Sequence, residues 1–168
     1  MTSAIFYYDI LDTELGDIAI VASDTAIVEI SFQNGKVAVD TEQDNLIQTN
    51  TGPTHLQSAR QQLKEYFAGL RKTFDLPLQQ DGTAFQKKIW QALTDIRFGS
   101  TQSYLGLAKA INNPAAVRAV GAANGANKIA IVVPCHRVIG SDKKLTGYAG
   151  GIGIKAKLLM LEGAHFKV

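Results

Sequence analysis

The sequence predicts a mixed α/β (α+β) fold in two parts, a sheet-and-helix domain over residues 1–80 and a mainly helical domain over residues 81–168. Three observations predict it. β-Branched and aromatic residues crowd short runs before residue 33, apolar residues recur at three- and four-residue spacing after residue 83, and the charge changes sign in between. Residues 1–81 hold 5 Lys+Arg against 12 Asp+Glu, whereas residues 82–168 hold 12 against 3, so the formal net charge of +2 conceals an acidic half and a basic half. A basic half of that strength attracts a polyanion such as nucleic acid, or is simply a solvated surface neutralised by the acidic half.

Taken in order, Ala4 to Ile10, Leu15 to Ala22 and Thr25 to Phe32 read as strands of a small antiparallel sheet, punctuated by Gly16-Asp17 and Ser23-Asp24, with the last two forming a hairpin. Thr54 to Ala68 sets Leu56, Ala59, Leu63, Tyr66 and Phe67 on one helical face, with Thr54 as N-cap and Gly69 as stop. Leu70 to Gly82, carrying Pro77 and Asp81-Gly82, reads as a strand and then a linker.

Beyond the linker, Thr83 caps a helix whose apolar face is Phe85, Ile89, Trp90, Leu93 and Ile96, ending before Gly99. Trp90 is read as core. A second helix spans Ser103 to Ile111, Asn112-Asn113-Pro114 breaks it, and a third runs from Pro114 through Ala123 to a close at Asn124-Gly125. A last helix covers Lys155 to Leu161. Two short helices about a tight turn in a basic region resemble a helix-turn-helix, although ordinary helix packing gives the same pattern. Ala115, Ala116, Ala119, Ala122 and Ala123 surround Arg118 and leave the third helix nearly smooth. That surface suits a close, sequence-neutral approach to a DNA groove with one basic probe, or tight packing against another helix.

The chemistry points to Cys135, the sole cysteine, with His136 beside it. One thiol makes neither an intrachain disulfide nor a thiolate metal cluster, which leaves nucleophilic chemistry or a buried structural thiol. A thiol with pKa near 8.5 is mostly protonated at neutral pH, so a base or a positive field is needed to generate thiolate. His136 is the candidate base. Neighbours on extended chain point apart, so contact requires a turn or a bridging water. A histidine base needs an acid to orient it, and the basic half offers Asp95, Asp142 and Glu162, of which Glu162 is the choice.

The run Arg118-Ala119-Val120-Gly121, Asn124-Gly125-Ala126-Asn127 and Pro134-Cys135-His136-Arg137-Val138-Ile139 closely resembles the O6-alkylguanine-DNA alkyltransferase (methylated-DNA–protein-cysteine methyltransferase) family. The likeness extends to Ser103-Tyr104, to Gly147-Tyr148-Ala149-Gly150-Gly151 and to Lys155–Gly163, covering about residues 83–163 well and the amino-terminal half in order and pattern. The resemblance implies a ribonuclease H-like amino-terminal domain and a carboxy-terminal domain that binds DNA and accepts the alkyl group. It implies single-turnover transfer from O6-alkylguanine, and less well from O4-alkylthymine, to Cys135 after base flipping. By the same resemblance His136 is the water-bridged base, Glu162 its orienting acid, Asn127 a brace for the thiol loop, and Tyr104 a donor to the departing base. Arg118 fills the gap in the stack, with Ala119 and Ala123 on the same DNA-facing surface. Tyr148 and Ala149 wall the pocket, the Ala149 N–H facing O6 and the Cys135 and Val138 carbonyls facing the exocyclic amine.

The partner so implied is double-stranded DNA carrying O6-alkylguanine, with no cofactor, no metal and no membrane. The protein is expected to be a monomer in solution, cooperative loading on DNA being left open. Lys128 and Ala130 stand where the family often has proline, Ala149 where it often has serine, and one cysteine cannot build the four-cysteine zinc module of its fusion regulators. No leading basic-then-apolar segment is visible and no apolar run reaches about 20 residues, so the chain is expected to be soluble and intracellular: cytoplasmic and nucleoid-associated, or nuclear in a eukaryote. A non-enzymatic DNA-binding protein that recognises alkylated bases is the alternative; a cysteine hydrolase lacks an identifiable oxyanion-hole loop. Gly147–Gly153 lacks a Gly-Lys-Ser/Thr ending and reads as pocket wall, and His55 and His165 have no ligand spacing.

Overall fold

The computed structural model describes residues 4–35 and 38–168; residues 1–3 and 36–37 of the expected first domain lie outside the described residues. Two compact units are present, Met1–Gln80 and Asp81–Val168. No helix among the described residues is long and apolar enough to cross a membrane.

In the first unit, β1 (Phe6–Thr13), β2 (Gly16–Ala22), β3 (Ile27–Phe32) and β4 (Leu46–Gln48) form a sheet in the order β3-β2-β1-β4. Both early connections are antiparallel hairpins. β4 runs parallel to β1, pairing Phe6 with Leu46, so the expected purely antiparallel sheet is corrected to a mixed one. Three residues without alternation gave β4 no sequence signature. Leu11, Ile18, Ile20, Ile30 and Phe32 are buried, and the register sets Ile18 opposite Phe32 and Ile20 opposite Ile30. Cross-strand partners share a face. Helix α1 (Thr54–Phe67) packs on the sheet through Leu56, Ala59, Leu63 and Tyr66, and its Arg60 reaches Asp9 of β1 at 3.1 Å.

Pro53, not Thr54, is the N-cap of α1, because proline's fixed φ and absent N–H suit the chain just ahead of a helix. Gly69 does stop it, at φ 76°, with Leu70 N–H donating back to the Glu65 carbonyl. The strand expected after Leu70 reduces to one bridge between Leu78 and Ile27. Pro77 has no N–H for a ladder and contributes only its carbonyl, to Ile27 N–H at 2.8 Å.

The second unit begins with α2 (Ala84–Thr94), opened by a reciprocal capping box between Thr83 and Gln86. It stops at Thr94, short of Ile96, which is nonetheless buried. A two-residue strand β5 (Gln102–Ser103) leads into α3 (Tyr104–Ala110), where the Ser103 hydroxyl accepts from Gly106 N–H at 2.9 Å. Helix α4 (Val117–Gly125) starts three residues later than expected. The reason is local: Pro114 sits second in a turn closed by Ala116 N–H on the Asn113 carbonyl, the position its φ favours. A 3-10 turn at Cys135–Arg137, strand β6 (Val138–Ile139) paired parallel to β5, and α5 (Ile152–Leu161) complete the unit. Gly151, at φ 101°, turns the chain into α5 ahead of the expected start at Lys155.

Trp90 ties α2 to α4, its indole N–H donating to the Ala123 carbonyl at 2.9 Å. It is the sole tryptophan, so its fluorescence follows unfolding of this unit alone. Thr83→Ala is expected to lower the stability of the second unit by about 1 kcal/mol. A urea titration monitored through Trp90 checks this, and an unchanged midpoint would mean the capping box contributes nothing.

Candidate active site

The thiol is delivered by a sequence of constrained turns. Asn127 braces the preceding loop, its side-chain amide donating to the Val133 carbonyl at 2.8 Å and the Ile129 carbonyl at 3.3 Å while its oxygen accepts from Ile129 N–H at 3.1 Å. Ile131, buried and β-branched, lies at φ 71°, and Val132 N–H closes back on the Ala130 carbonyl at 2.8 Å. This is the strained form of the γ-turn. Pro134 then centres an inverse γ-turn, φ −83° and ψ 63°, closed by Cys135 N–H on the Val133 carbonyl at 2.8 Å. Proline's ring presets that φ, and the chain enters the 3-10 turn holding Cys135, His136 and Arg137.

Cys135 is 7% exposed and His136 fully buried. Burial pushes the thiol pKa up; a hydrogen bond from Asn127 and the charge of Lys155 work against it. His136 Nε2 lies 2.7 Å from Glu162 Oε2. Glu162 also receives Arg137 through Nε on Oε1 at 2.8 Å and Nη2 on Oε2 at 3.1 Å, a two-point ion pair. Burial pushes the Glu162 carboxyl up, but His136 and the Arg137 guanidinium outweigh it and hold the carboxyl at about 2. It is therefore ionised and accepts from His136 Nε2–H, which leaves Nδ1 with its lone pair. Nδ1 is buried and has no hydrogen-bond partner among the described residues. Burial also draws the imidazole pKa down, keeping the ring neutral and able to take a proton at Nδ1.

A second cluster adjoins the thiol turn at Val138. Lys155 Nζ donates to the Val138 carbonyl at 2.6 Å and to Thr146 Oγ1 at 3.0 Å, and Thr146 Oγ1 is 2.5 Å from the Tyr104 hydroxyl. Pairing of β5 with β6 brings Tyr104, first residue of α3, to this place. Burial draws the Lys155 pKa down to about 8, with the Cys135 charge opposing. Tyr148 feels the Cys135 and Glu162 charges, and burial pushes its phenol well up. Ala149, next in the chain, is exposed.

The structure thus joins Cys135, His136, Glu162, Asn127 and Tyr148 in one centre and sets Tyr104 and Val138 in the adjoining cluster. The two carbonyls expected to face a base are already in use: Val138 O by Lys155, Cys135 O by Asn124 Nδ2 at 3.4 Å. The Cys135 carbonyl also accepts from Val138 N–H, so both of its lone pairs are engaged, whereas Val138 O has a second lone pair beside the Lys155 bond. On α4, Arg118, Ala119, Ala122 and Gly125 are exposed while Val120, Ala123 and Asn124 are buried. Ala123 is corrected: at 2% exposure it packs inward onto Trp90 rather than lining the outer face. Ten of the twelve basic side chains of this unit are exposed, Arg137 and Lys155 being the two buried. Among the described residues no group of three or more His, Cys, Asp or Glu is arranged to hold a metal.

Sequence reasoning missed Arg137, Lys155, Thr146 and Asn124. A signal existed for Lys155: Lys155, Leu158, Leu159 and Glu162 follow an i, i+3, i+4, i+7 stripe, so a lysine and a glutamate interrupt a buried face. Asn124 likewise falls on the buried face of α4, below Val120.

The fold and this Pro-Cys-His-Arg centre are those of a cysteine-acceptor DNA-repair class. Residues 84–164 match the 6-O-methylguanine DNA methyltransferase DNA binding domain, and residues 6–80 match the ribonuclease-like domain of the same proteins. The chain belongs to the 6-O-methylguanine DNA methyltransferase family. It is 44% identical over 158 residues to the methylated-DNA–protein-cysteine methyltransferase of Methanosarcina acetivorans, covering 94% of this chain and 99% of that one. To the constitutive methylated-DNA–protein-cysteine methyltransferase of Bacillus subtilis it is 46% identical over 162 residues, covering 96% and 98%. The crystal structure of Mycobacterium tuberculosis OGT in complex with DNA superimposes with a TM-score of 0.83 at 40% identity, covering 94% of this chain and 92% of that one.

Glu162→Gln, which leaves Arg137 buried without a counter-charge, is expected to destabilise the second unit by about 3–5 kcal/mol. The wild-type carboxyl lies below its unfolded value of 4.5, so its stabilisation is present above that pH and is lost as pH falls toward about 2. Urea midpoints read through Trp90 across that window should fall steeply for the wild type and less steeply for Glu162→Gln. Equal slopes would remove Glu162 as the acid-sensitive anchor.

Proposed function

We propose that this protein repairs O6-alkylguanine in duplex DNA by moving the alkyl group irreversibly to Cys135, each molecule acting once. The observation that carries this reading is the buried Cys135 beside an imidazole whose Nε2–H is fixed on Glu162 and whose Nδ1 is free to act as base. His136 takes the thiol proton, directly or through a water, and Glu162 stabilises the imidazolium that results. Sulfur attacks the alkyl carbon, the carbon–O6 bond breaks, and guanine leaves as its ring accepts a proton from Tyr104. A thioether does not hydrolyse, so the acceptor is not regenerated.

DNA docks through the exposed face of α4. Arg118 enters the stack in place of the flipped nucleotide, and Ala119 with Ala122 lets the helix approach the groove without reading bases. Flipping costs a few kcal/mol, which an inserted guanidinium partly offsets. Tyr148 and Ala149 border the receiving pocket, with the Ala149 N–H toward O6. O4-alkylthymine is a poorer substrate of the same pocket. The protein works in the cytoplasm on the nucleoid, or in the nucleus of a eukaryote, as a monomer in solution.

Incubation with duplex carrying labelled O6-methylguanine is expected to put the label on the peptide containing Cys135, with the mass gain of one CH2, and Cys135→Ala should bind the lesion yet take no label. Tight binding by the wild type without transfer would support a recognition module instead. Arg118→Ala should slow repair in duplex about tenfold or more while reaction with free O6-benzylguanine stays within about twofold, since the free base needs no flipping. Equal losses on both would refute the plug.

A further inference from the structure

Thr146 lies in the segment between β6 and α5, and its hydroxyl oxygen meets two functional groups at once, Lys155 Nζ at 3.0 Å and Tyr104 OH at 2.5 Å. Valence fixes the direction of the Lys155 bond, whereas either hydroxyl can donate in the Thr146–Tyr104 contact. An ammonium donates and cannot accept, so Lys155 donates both to the Val138 carbonyl and to Thr146. While its oxygen accepts from Lys155, Thr146 can give its own O–H to the Tyr104 oxygen. The phenol hydrogen is then released from this contact and can point at a base.

We propose that Thr146 is a positioning residue for alkyl transfer: its hydroxyl couples the Lys155 ammonium to the Tyr104 oxygen and turns the phenol proton toward the departing guanine. The inference rests on the proposed function and on Tyr104 as proton donor there. In the step concerned the sulfur–carbon bond forms, the carbon–O6 bond breaks with its electron pair going to guanine, and the phenol proton moves to the guanine ring. The step leaves a phenolate beside Thr146 and an imidazolium beside Glu162, and both exchange protons with water after the base departs. The phenolate keeps the Thr146 O–H as donor and has a positive charge one hydroxyl away, in a polarised chain that strengthens each link.

Lys155 is fully buried, so its charge acts at short range and with little screening. Its pKa of about 8 leaves it mostly cationic at neutral pH. The titratable groups that sense it are Cys135 and His136, both of whose pKa values it lowers. One buried cation thus favours the thiolate directly and the phenolate through Thr146. The β-branched threonine holds its hydroxyl in few rotamers, which suits a fixed relay.

The test compares two reagents on Cys135. O6-benzylguanine releases a base that must be protonated, whereas iodoacetamide releases iodide, which needs no proton. Thr146→Val is expected to slow benzyl transfer about 10- to 100-fold, part of what a positioned acid contributes, while iodoacetamide alkylation stays within about twofold of wild type. Thr146→Ser should recover benzyl transfer to within about threefold, and adding Thr146→Val to Tyr104→Phe should slow it no further. Should Thr146→Val fail to fold, Thr146→Ala carries the same comparison. Unchanged benzyl transfer, or parallel loss with both reagents, overturns the proposal. A wild type that iodoacetamide alkylates but that takes nothing from O6-benzylguanine or methylated duplex overturns the alkyl-transfer reading itself.

Discussion

The Glu162 carboxylate, buried just past the end of α5, is the contact on which the rest of the centre depends. Its two oxygens receive Arg137 at two points and His136 at one, while Arg137 Nη1 reaches the Ile96 carbonyl at 2.6 Å and its guanidinium lies 5.9 Å from the Phe98 ring centroid. Burying both charges is costly, and the cost is met only because these donors and acceptors are matched. The result is a clamp across the end of α2, the 3-10 turn and α5. It fixes the turn immediately after Cys135 and, with the same oxygen, sets which imidazole nitrogen carries the proton. Structure and chemistry here share one group.

The loop before the thiol reaches a defined shape by another route. Lys128 and Ala130 supply none of the stiffness that proline gives such a loop. Asn127 replaces it with a set of hydrogen bonds to Ile129 and Val133, and the γ-turn at Ile131 holds a backbone conformation that a β-branched residue adopts only under constraint. The strain is kept by burial of Ile131 and Val133 on either side of Val132. Rigidity at the acceptor thus comes from polar bracing and packing together with the single ring of Pro134.

Much of this was legible in the sequence, and the exceptions have physical causes. Strands β1 to β3 and helices α1 and α2 were visible because each carries its own periodicity and its own stop. β4 and the β5–β6 pair were not, since strands of two or three residues are fixed by partners far along the chain. Helix α4 was placed too early because Pro114 favours a turn's second position as readily as a helix's first, and only the Asn113–Ala116 hydrogen bond decides between them. Cys135, His136 and Glu162 were readable from scarcity: one thiol and three acids in a basic half. Arg137 was hidden by the habit of reading arginine as surface charge, and Thr146 by having no motif at all, its importance arising only when β5 carries Tyr104 to it.

In the second unit, the basic side chains left outside after Arg137 and Lys155 are withdrawn are lysines at eight positions and arginines at two, Arg97 and Arg118. Lysine is a compact point charge without the planar fork that grips a particular base edge. Such a coat holds any duplex about equally well and lets go of each phosphate easily. It favours travel along the polymer over residence at a preferred address.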